Sequence, residues 1–407
     1  MFRRSARAAS LALLCCAASA QSQTVLTVDR VLDLAERQNP DVLIARTRTA
    51  QAQGALETAR VRLPANPEVD AFLGSRSDSS GTHSVDSELS FLQRFELGGQ
   101  RGYRVAAATA AATQRDLEIG ATVLDAQRAA VLSFYRAVHA QEVRRLMNDA
   151  HALAEEALRA ADARYQAGET PVLDVNVARV ELARARRDQL TAASRLEGTL
   201  AELREVLALP AQEPVVVEAA LRAPDVPSLD VLLARLSERP DLRALTTGVD
   251  HAEAELRLTR ATRVPDLFAG FGWRREDAEP VAGVRFGLTL PLFQRQTGAI
   301  TTAAGRVSEA RAALQARRVG LDARLRGAYA RYQIAAQAAD DIAATAVPLT
   351  MENEQLSRES YRAGKIGLLE LLVIRRQGFA ARSEALDAQL ESTLTALDVR
   401  GIAGVVR

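Results

Sequence analysis

Two periodicities alternate along this chain. Leu117, Leu124, Val131 and Val138 recur every seven residues in the first half, and Leu314, Leu321, Ala328 and Ala335 do so in the second. That spacing, sustained, predicts helices wound about one another with a left-handed supercoil. Before each long helical stretch stands sequence of period two. Val69, Ala71 and Leu73 alternate with Glu68, Asp70 and Phe72. Val85, Leu89, Phe91, Phe95 and Leu97 alternate with Ser84, Asp86, Glu88, Ser90, Arg94 and Glu96. Leu267, Ala269, Phe271 and Trp273 share one face, and Val284, Phe286, Leu288 and Leu290 share another. These runs predict two β-hairpins, 68–97 and 266–292, the first turning over Ser77 to Gly81.

Proline and glycine divide the rest. A helix from Thr27 to about Arg62 is broken at Asn39-Pro40 and ended by Pro64 and Pro67. No proline then occurs before Pro171, and a continuous helix from Gly102 to Gln166 would be roughly 95–100 Å long at 1.5 Å per residue. Residues 208–228 hold Pro210, Pro214, Pro224 and Pro227 and read as a connection. Beyond it the pattern returns. Arg239-Pro240-Asp241 answers Asn39-Pro40-Asp41 at an offset of 200, and Pro265 answers Pro64. Only Pro348 interrupts the second long helix, where a local kink is expected. The chain therefore divides into a first repeat, 21–207, a linker, 208–228, and a second repeat, 229–407.

The two stretches that organise this pattern are Tyr165 to Arg179 and Tyr361 to Arg375. Each has Tyr-x-Ala-Gly, a short break, an apolar pair, an acid, and an arginine five residues after the acid. Gly168 and Gly364 suit the left-handed conformation that ends a helix, so each stretch reads as the tip of a helical hairpin. Asp174 and Glu370 then fall in the first turns of the returning helices, where a carboxylate suits the positive end of the dipole.

The strands set the physical demand. Each pair is apolar on one face and flanked by helices too thin to cover it. Lipid outside and a wet lumen inside would suit the same alternation, with Trp273 and Phe95 at the interfaces. The competing reading is two amphipathic hairpins lying on a soluble helical bundle. Four strands cannot close a barrel, and open edges in lipid leave backbone groups unsatisfied. The membrane reading therefore requires several chains sharing one wall, with the helices continuing it as a tube roughly 100 Å long.

Composition changes this picture little. Hydrophobic residues make up 48% and aromatics only 4%, which suits thin, closely packed helices better than a thick core. A formal charge of +1 gives no field that would favour nucleic acid. Arg3, Arg4 and Arg7, the apolar run Leu11 to Ala18, and Ala18-Ser19-Ala20 read as a secretory signal over 1–20. Cys15 and Cys16, the only two cysteines, invite a lipidated N-terminus, but the residues before them are not small, which favours cleavage after Ala20. Cleavage there removes both thiols. No catalytic, cofactor-binding or metal-binding constellation is expected. His83, His139, His151 and His251 lack ligand spacing, Met147 and Met351 are too few for a copper relay, and Gly270-x-Gly272 lies inside a strand pattern.

At this point the sequence resembles the TolC family of outer-membrane efflux channels, most closely the branch serving heavy-metal exporters of the resistance-nodulation-division type. The residues are Leu26-Thr27 with Asn39-Pro40-Asp41, Gln93 to Arg101, Arg239-Pro240-Asp241-Leu242, Leu290-Pro291-Leu292-Phe293 and the two tips. The resemblance implies a mainly α fold with a membrane β-barrel: a homotrimer with twelve strands, a periplasmic tunnel of helical hairpins and an equatorial belt around 208–228. It implies a passive duct, not an enzyme, fed by an inner-membrane pump and a periplasmic adaptor. Metal cations or small toxic compounds are the expected cargo. By the same resemblance Asp174 and Glu370 form the periplasmic constriction, and the adaptor docks on Gly168, Glu169, Thr170, Gly364, Lys365 and Ile366. Val373 and Ile366 stand where some relatives carry a further acid and a locking arginine, so a polar lock of that kind is not expected. A soluble periplasmic coiled-coil adaptor or scaffold, and a channel for type I protein secretion, are the alternatives.

Overall fold

The computed structural model describes residues 24–77, 81, 83–276, 279–293 and 295–405. The signal segment 1–20, with Cys15 and Cys16, lies outside the described residues, as does most of the turn expected over Ser77 to Gly81.

The chain enters through a short strand, β1 (Thr24–Leu26), and two helices, α1 (Val28–Gln38) and α2 (Pro40–Arg60). Asn39 makes the break between the helices. Its side-chain oxygen accepts from the amides of Asp41 and Val42, capping α2, while Pro40 supplies a first helical residue that needs no donor. Its side-chain nitrogen donates to the carbonyl of Val206, 3.0 Å away. Strands β2 (Glu68–Ser77) and β3 (His83–Phe95) follow, then α3 (Gln100–Gln166) and α4 (Val172–Val206). With 67 residues, α3 runs for about 100 Å. Its heptad positions Leu124, Val131 and Val138 are buried, as that spacing requires.

After β4 (Val215–Val217) come α5 (Leu229–Arg235), a single 3-10 turn, α6 (Pro240–Ala261), β5 (Leu267–Glu276), β6 (Glu279–Leu288), α7 (Thr297–Asp341), α8 (Val347–Arg362) and α9 (Leu368–Ile402). Between α7 and α8 the helix widens for one π turn, Ile342–Ala346, directly before Pro348. The expected kink takes this form because Pro348 has no N–H to donate and its ring crowds the preceding turn. A wider turn moves those carbonyls aside without ending the helix.

The helices lie side by side as a row. Near the strands the order is α2, α3, α6, α7; toward the tips it is α4, α3, α9, α8. Halfway along α3, the parallel pair β1–β4 packs with Leu26, Leu207, Val215 and Val217 against Ala130, Phe134 and Ala137. The sequence pattern missed this pair, because three-residue strands leave no periodicity to read. A second mid-height cluster joins Leu232, Leu242, Leu325 and Val399. Above it Arg239, only 6% exposed, forks onto Asp241 at 2.8 and 3.2 Å and donates to the carbonyls of Gly401 and Ile402. Arg317 holds the same carboxylate at 2.7 Å. Burial opposes the charge on Asp241, but the two guanidinium groups outweigh it and keep the carboxyl below its ordinary range. Asn39 and Arg239 thus tie the ends of α4 and α9 respectively.

Strands β2, β3, β5 and β6 form one antiparallel sheet in that order. Phe91 lies opposite both Val69 and Phe271, and Leu89 opposite both Ala71 and Trp273. The ladder ends at Phe95–Leu267–Leu288, so Leu97 and Leu290, read as the ends of their strands, lie beyond it. Pro265 and Pro291 cannot donate to a ladder there, which fixes the limit.

Candidate functional site: hairpin tips and an apolar sheet face

Both tips close through the same backbone geometry. Gly168 sits at φ 76° and Gly364 at φ 69°. At the first tip the amide of Gly168 donates to the carbonyl of Tyr165 and that of Glu169 to Arg164. At the second, Gly364 donates to Tyr361 and Lys365 to Ser360, all at 2.8–3.0 Å. This pairing satisfies the last carbonyls of a helix and requires a residue at positive φ, which glycine adopts without a Cβ clash. Asp174 and Glu370 each occupy the third position of the returning helix. Asp174 is half-buried and Glu370 exposed, as are Glu169 and Lys365, with Thr170 and Ile366 partly covered.

The structure joins the tips to one another. Ala157, Ala161, Val175, Ala178, Leu368 and Leu372 form a shared cluster with Tyr361 at its margin. The guanidinium of Arg164 lies 5.4 Å from the centre of the Tyr361 ring and 3.3 Å from Glu169. The sequence showed both tyrosines but not this bridge, since nothing in the repeat marks Arg164. The two arginines that repeat after the acids diverge. Arg179 is exposed and 3.7 Å from Asp162. Arg375 is half-buried, where burial and then the charge of Arg358 lower its pKa. Just above the acids a cleft of about 370 Å³ lies between α4 and α9, lined by Asn176, Val180, Leu369 and Val373 among others.

At the opposite end, the sheet presents one continuous apolar face. Leu73 is 77% exposed, Phe271 60%, Val284 73% and Phe286 69%, although Phe91 and Phe271 stack at 5.4 Å. The other face carries charge: Arg76 bridges Asp86 and Glu276 at 3.0 Å, and Arg285 lies 3.8 Å from Glu88. Greasy on one side and ionic on the other is the patterning of a barrel wall between lipid and water. Among the described residues no helix is long and apolar enough to cross a membrane, and no group of three metal-ligating side chains occurs.

A barrel-type sheet continued by a row of helices about 100 Å long defines a subunit of an outer-membrane channel with a periplasmic helical tunnel. The profile of the family described as Outer membrane efflux protein matches residues 31–209 and again 220–405, and the chain belongs to that family. The cobalt-zinc-cadmium resistance protein CzcC of Cupriavidus metallidurans is 25% identical over 360 residues, covering 88% of this chain and 85% of that protein. The nickel-cobalt-cadmium resistance protein NccC of Alcaligenes xylosoxydans is 28% identical over 298 residues, 70% of this chain and 66% of that one. Among solved structures, CusC superposes with a TM-score of 0.77 at 16% identity, over 93% of this chain and 92% of that one, a likeness of fold. The protein is the outer-membrane channel component of a tripartite efflux system.

Proposed function

We propose that three copies close into one twelve-stranded barrel, through which cargo leaves the cell after delivery by an inner-membrane pump and a periplasmic adaptor. One observation carries this reading. The four-stranded sheet is apolar and exposed on one face, and the outer edges of β2 and β6 carry no partner strand among the described residues. Lipid tolerates such a face but not such edges, so neighbouring copies must supply the missing partners. The wall is built from an internal two-fold repeat, 21–207 and 229–407, with 208–228 joining the halves at the belt. Two successive matches to one family profile, and the equal 35-residue lengths of α4 and α9, support that division.

In this reading the chain performs no chemistry and needs no cofactor. Asp174 and Glu370, three copies each, ring the periplasmic entrance and attract cations. Gly168, Glu169, Thr170, Gly364, Lys365 and Ile366 receive the adaptor. Metal cations are the favoured cargo, supported by the resistance proteins CzcC and NccC that the chain resembles. The deciding measurement is the mass of the protein extracted from outer membrane in mild detergent. A species three times the chain mass is expected; a monomer that stays dissolved without detergent would overturn the reading.

A further inference from the structure

The apolar face of the sheet has a definite height. From Val85 to Phe95, β3 advances ten residues, about 33 Å of strand, which a barrel tilt near 40° reduces to about 25 Å. That is the height of the apolar band on such a wall. The hydrocarbon is therefore used up where the ladder ends, at Phe95–Leu267–Leu288. The junctions between strands and helices fall in the next layer, roughly 5–8 Å thick, which holds the lipid headgroups.

Apolar side chains continue into that layer. Leu290, Leu292 and Phe293 are 61%, 62% and 97% exposed, and Val61, Leu63 and Val264 lie open as well. Interleaved with them is positive charge. Residues 60–66, 94–104, 260–266 and 289–296 hold eight arginines and only two acids. Both acids are engaged: Glu96 accepts from Arg104 at 2.6 Å, and Asp266 from the side-chain amide of Gln100 at 3.3 Å. Arg62, Arg263 and Arg295 are exposed and make no ion pair among the described residues. The internal repeat supplies the first two, because Arg62-Leu63-Pro64 recurs as Arg263-Val264-Pro265. Arg263 reaches the third through its Nε, which donates to the carbonyl of Arg295 at 3.2 Å. At the far end of the sheet the balance differs, since Arg76 and Arg274 are held by Asp86 and Glu276.

We propose that this collar binds the phosphates of anionic phospholipid in the periplasmic leaflet. Arg62, Arg263 and Arg295 take the headgroups, while Leu290, Leu292 and Phe293 sink beside the upper acyl chains. Guanidinium groups without carboxylate partners, set among open apolar side chains at headgroup depth, match a phosphate joined to acyl chains. The proposal requires the sheet to lie in lipid and is independent of how many copies close the barrel.

The chain's single tryptophan, Trp273, lies on the apolar face of β5 and reports the lipid beside it. Full-length protein is reconstituted in vesicles of phosphatidylcholine and phosphatidylglycerol in equal parts, with bromine on the chains of one or the other to quench Trp273. Phosphatidylglycerol should be preferred about fivefold, the scale of one arginine at an anionic surface. Equal quenching by the two lipids overturns the proposal, whatever the variants do. Arg62→Gln/Arg263→Gln/Arg295→Gln should abolish the preference, and Arg144→Gln/Arg186→Gln/Arg195→Gln, on α3 and α4, should keep it; the reverse of either result would also overturn the proposal. Inorganic phosphate at constant ionic strength should leave the preference intact. Its loss there would make the collar a free-anion site and overturn the lipid assignment. Mass in mild detergent, measured in parallel, tests the ring reading separately.

Discussion

Ala208 occupies a position that glycine fills three times elsewhere. It ends α4 at φ 52°, while Gly168, Gly364 and Gly404 end their helices at 76°, 69° and 81°. All four make the same pair of amide-to-carbonyl bonds. A left-handed alanine carries a Cβ penalty that glycine lacks, so Ala208→Gly should stabilise the chain by about 0.5–1 kcal/mol. Thermal unfolding in detergent measures it, and a lowered midpoint would refute the account. Arg239 makes the opposite case. Arg239→Ala would leave the half-buried carboxylate of Asp241 to Arg317 alone and free two carbonyls, costing about 1–3 kcal/mol in the same assay. The folded pKa of Asp241 is depressed, so its contribution is present above the unfolded value near 4 and is lost as pH falls through the lower folded value. Acid titration of the unfolding midpoint should therefore flatten in Asp241→Asn below about pH 4 relative to the parent. The sequence displayed Asn39-Pro40-Asp41 and Arg239-Pro240-Asp241 as equivalent motifs. It did not disclose that each residue before proline grips the far end of a different helix, because such contacts join positions more than 160 apart.

At the scale of elements, alternation revealed the strands and hid their order. Period two is local, and Phe91, Phe271 and Trp273 could be put on one face of each strand from sequence alone. That β3 pairs with β5, so that the two halves share one sheet, is a long-range register with no local signature. The π turn is a partial case: Pro348 announced a disturbance, but the sequence did not say that the helix would widen rather than bend. The sheet makes a two-sided prediction. Phe91→Lys on the apolar face should cost about 2–4 kcal/mol near the membrane centre and sharply reduce the amount recovered in outer membrane. Glu88→Gln on the ionic face should leave recovery unchanged. Equal recovery of both variants would speak against lipid on that side.

For the whole molecule, the tips were the most legible feature, since glycine at positive φ and an acid three residues into a helix are both written locally. Single-channel recording of Asp174→Asn/Glu370→Gln should show weakened cation selectivity with little change in oligomer mass, whereas unchanged selectivity would leave the acids as helix-start residues only. The open strands have a wider consequence. A solitary copy entering the bilayer would expose hydrogen-bonding groups along β2 and β6 that no lipid tail can answer. In the closed-ring reading proposed above, subunits must meet before or during insertion, and biogenesis becomes a concentration-dependent event. On that reading a copy crippled at one border poisons the rings it joins, so such alleles should behave as dominant negatives.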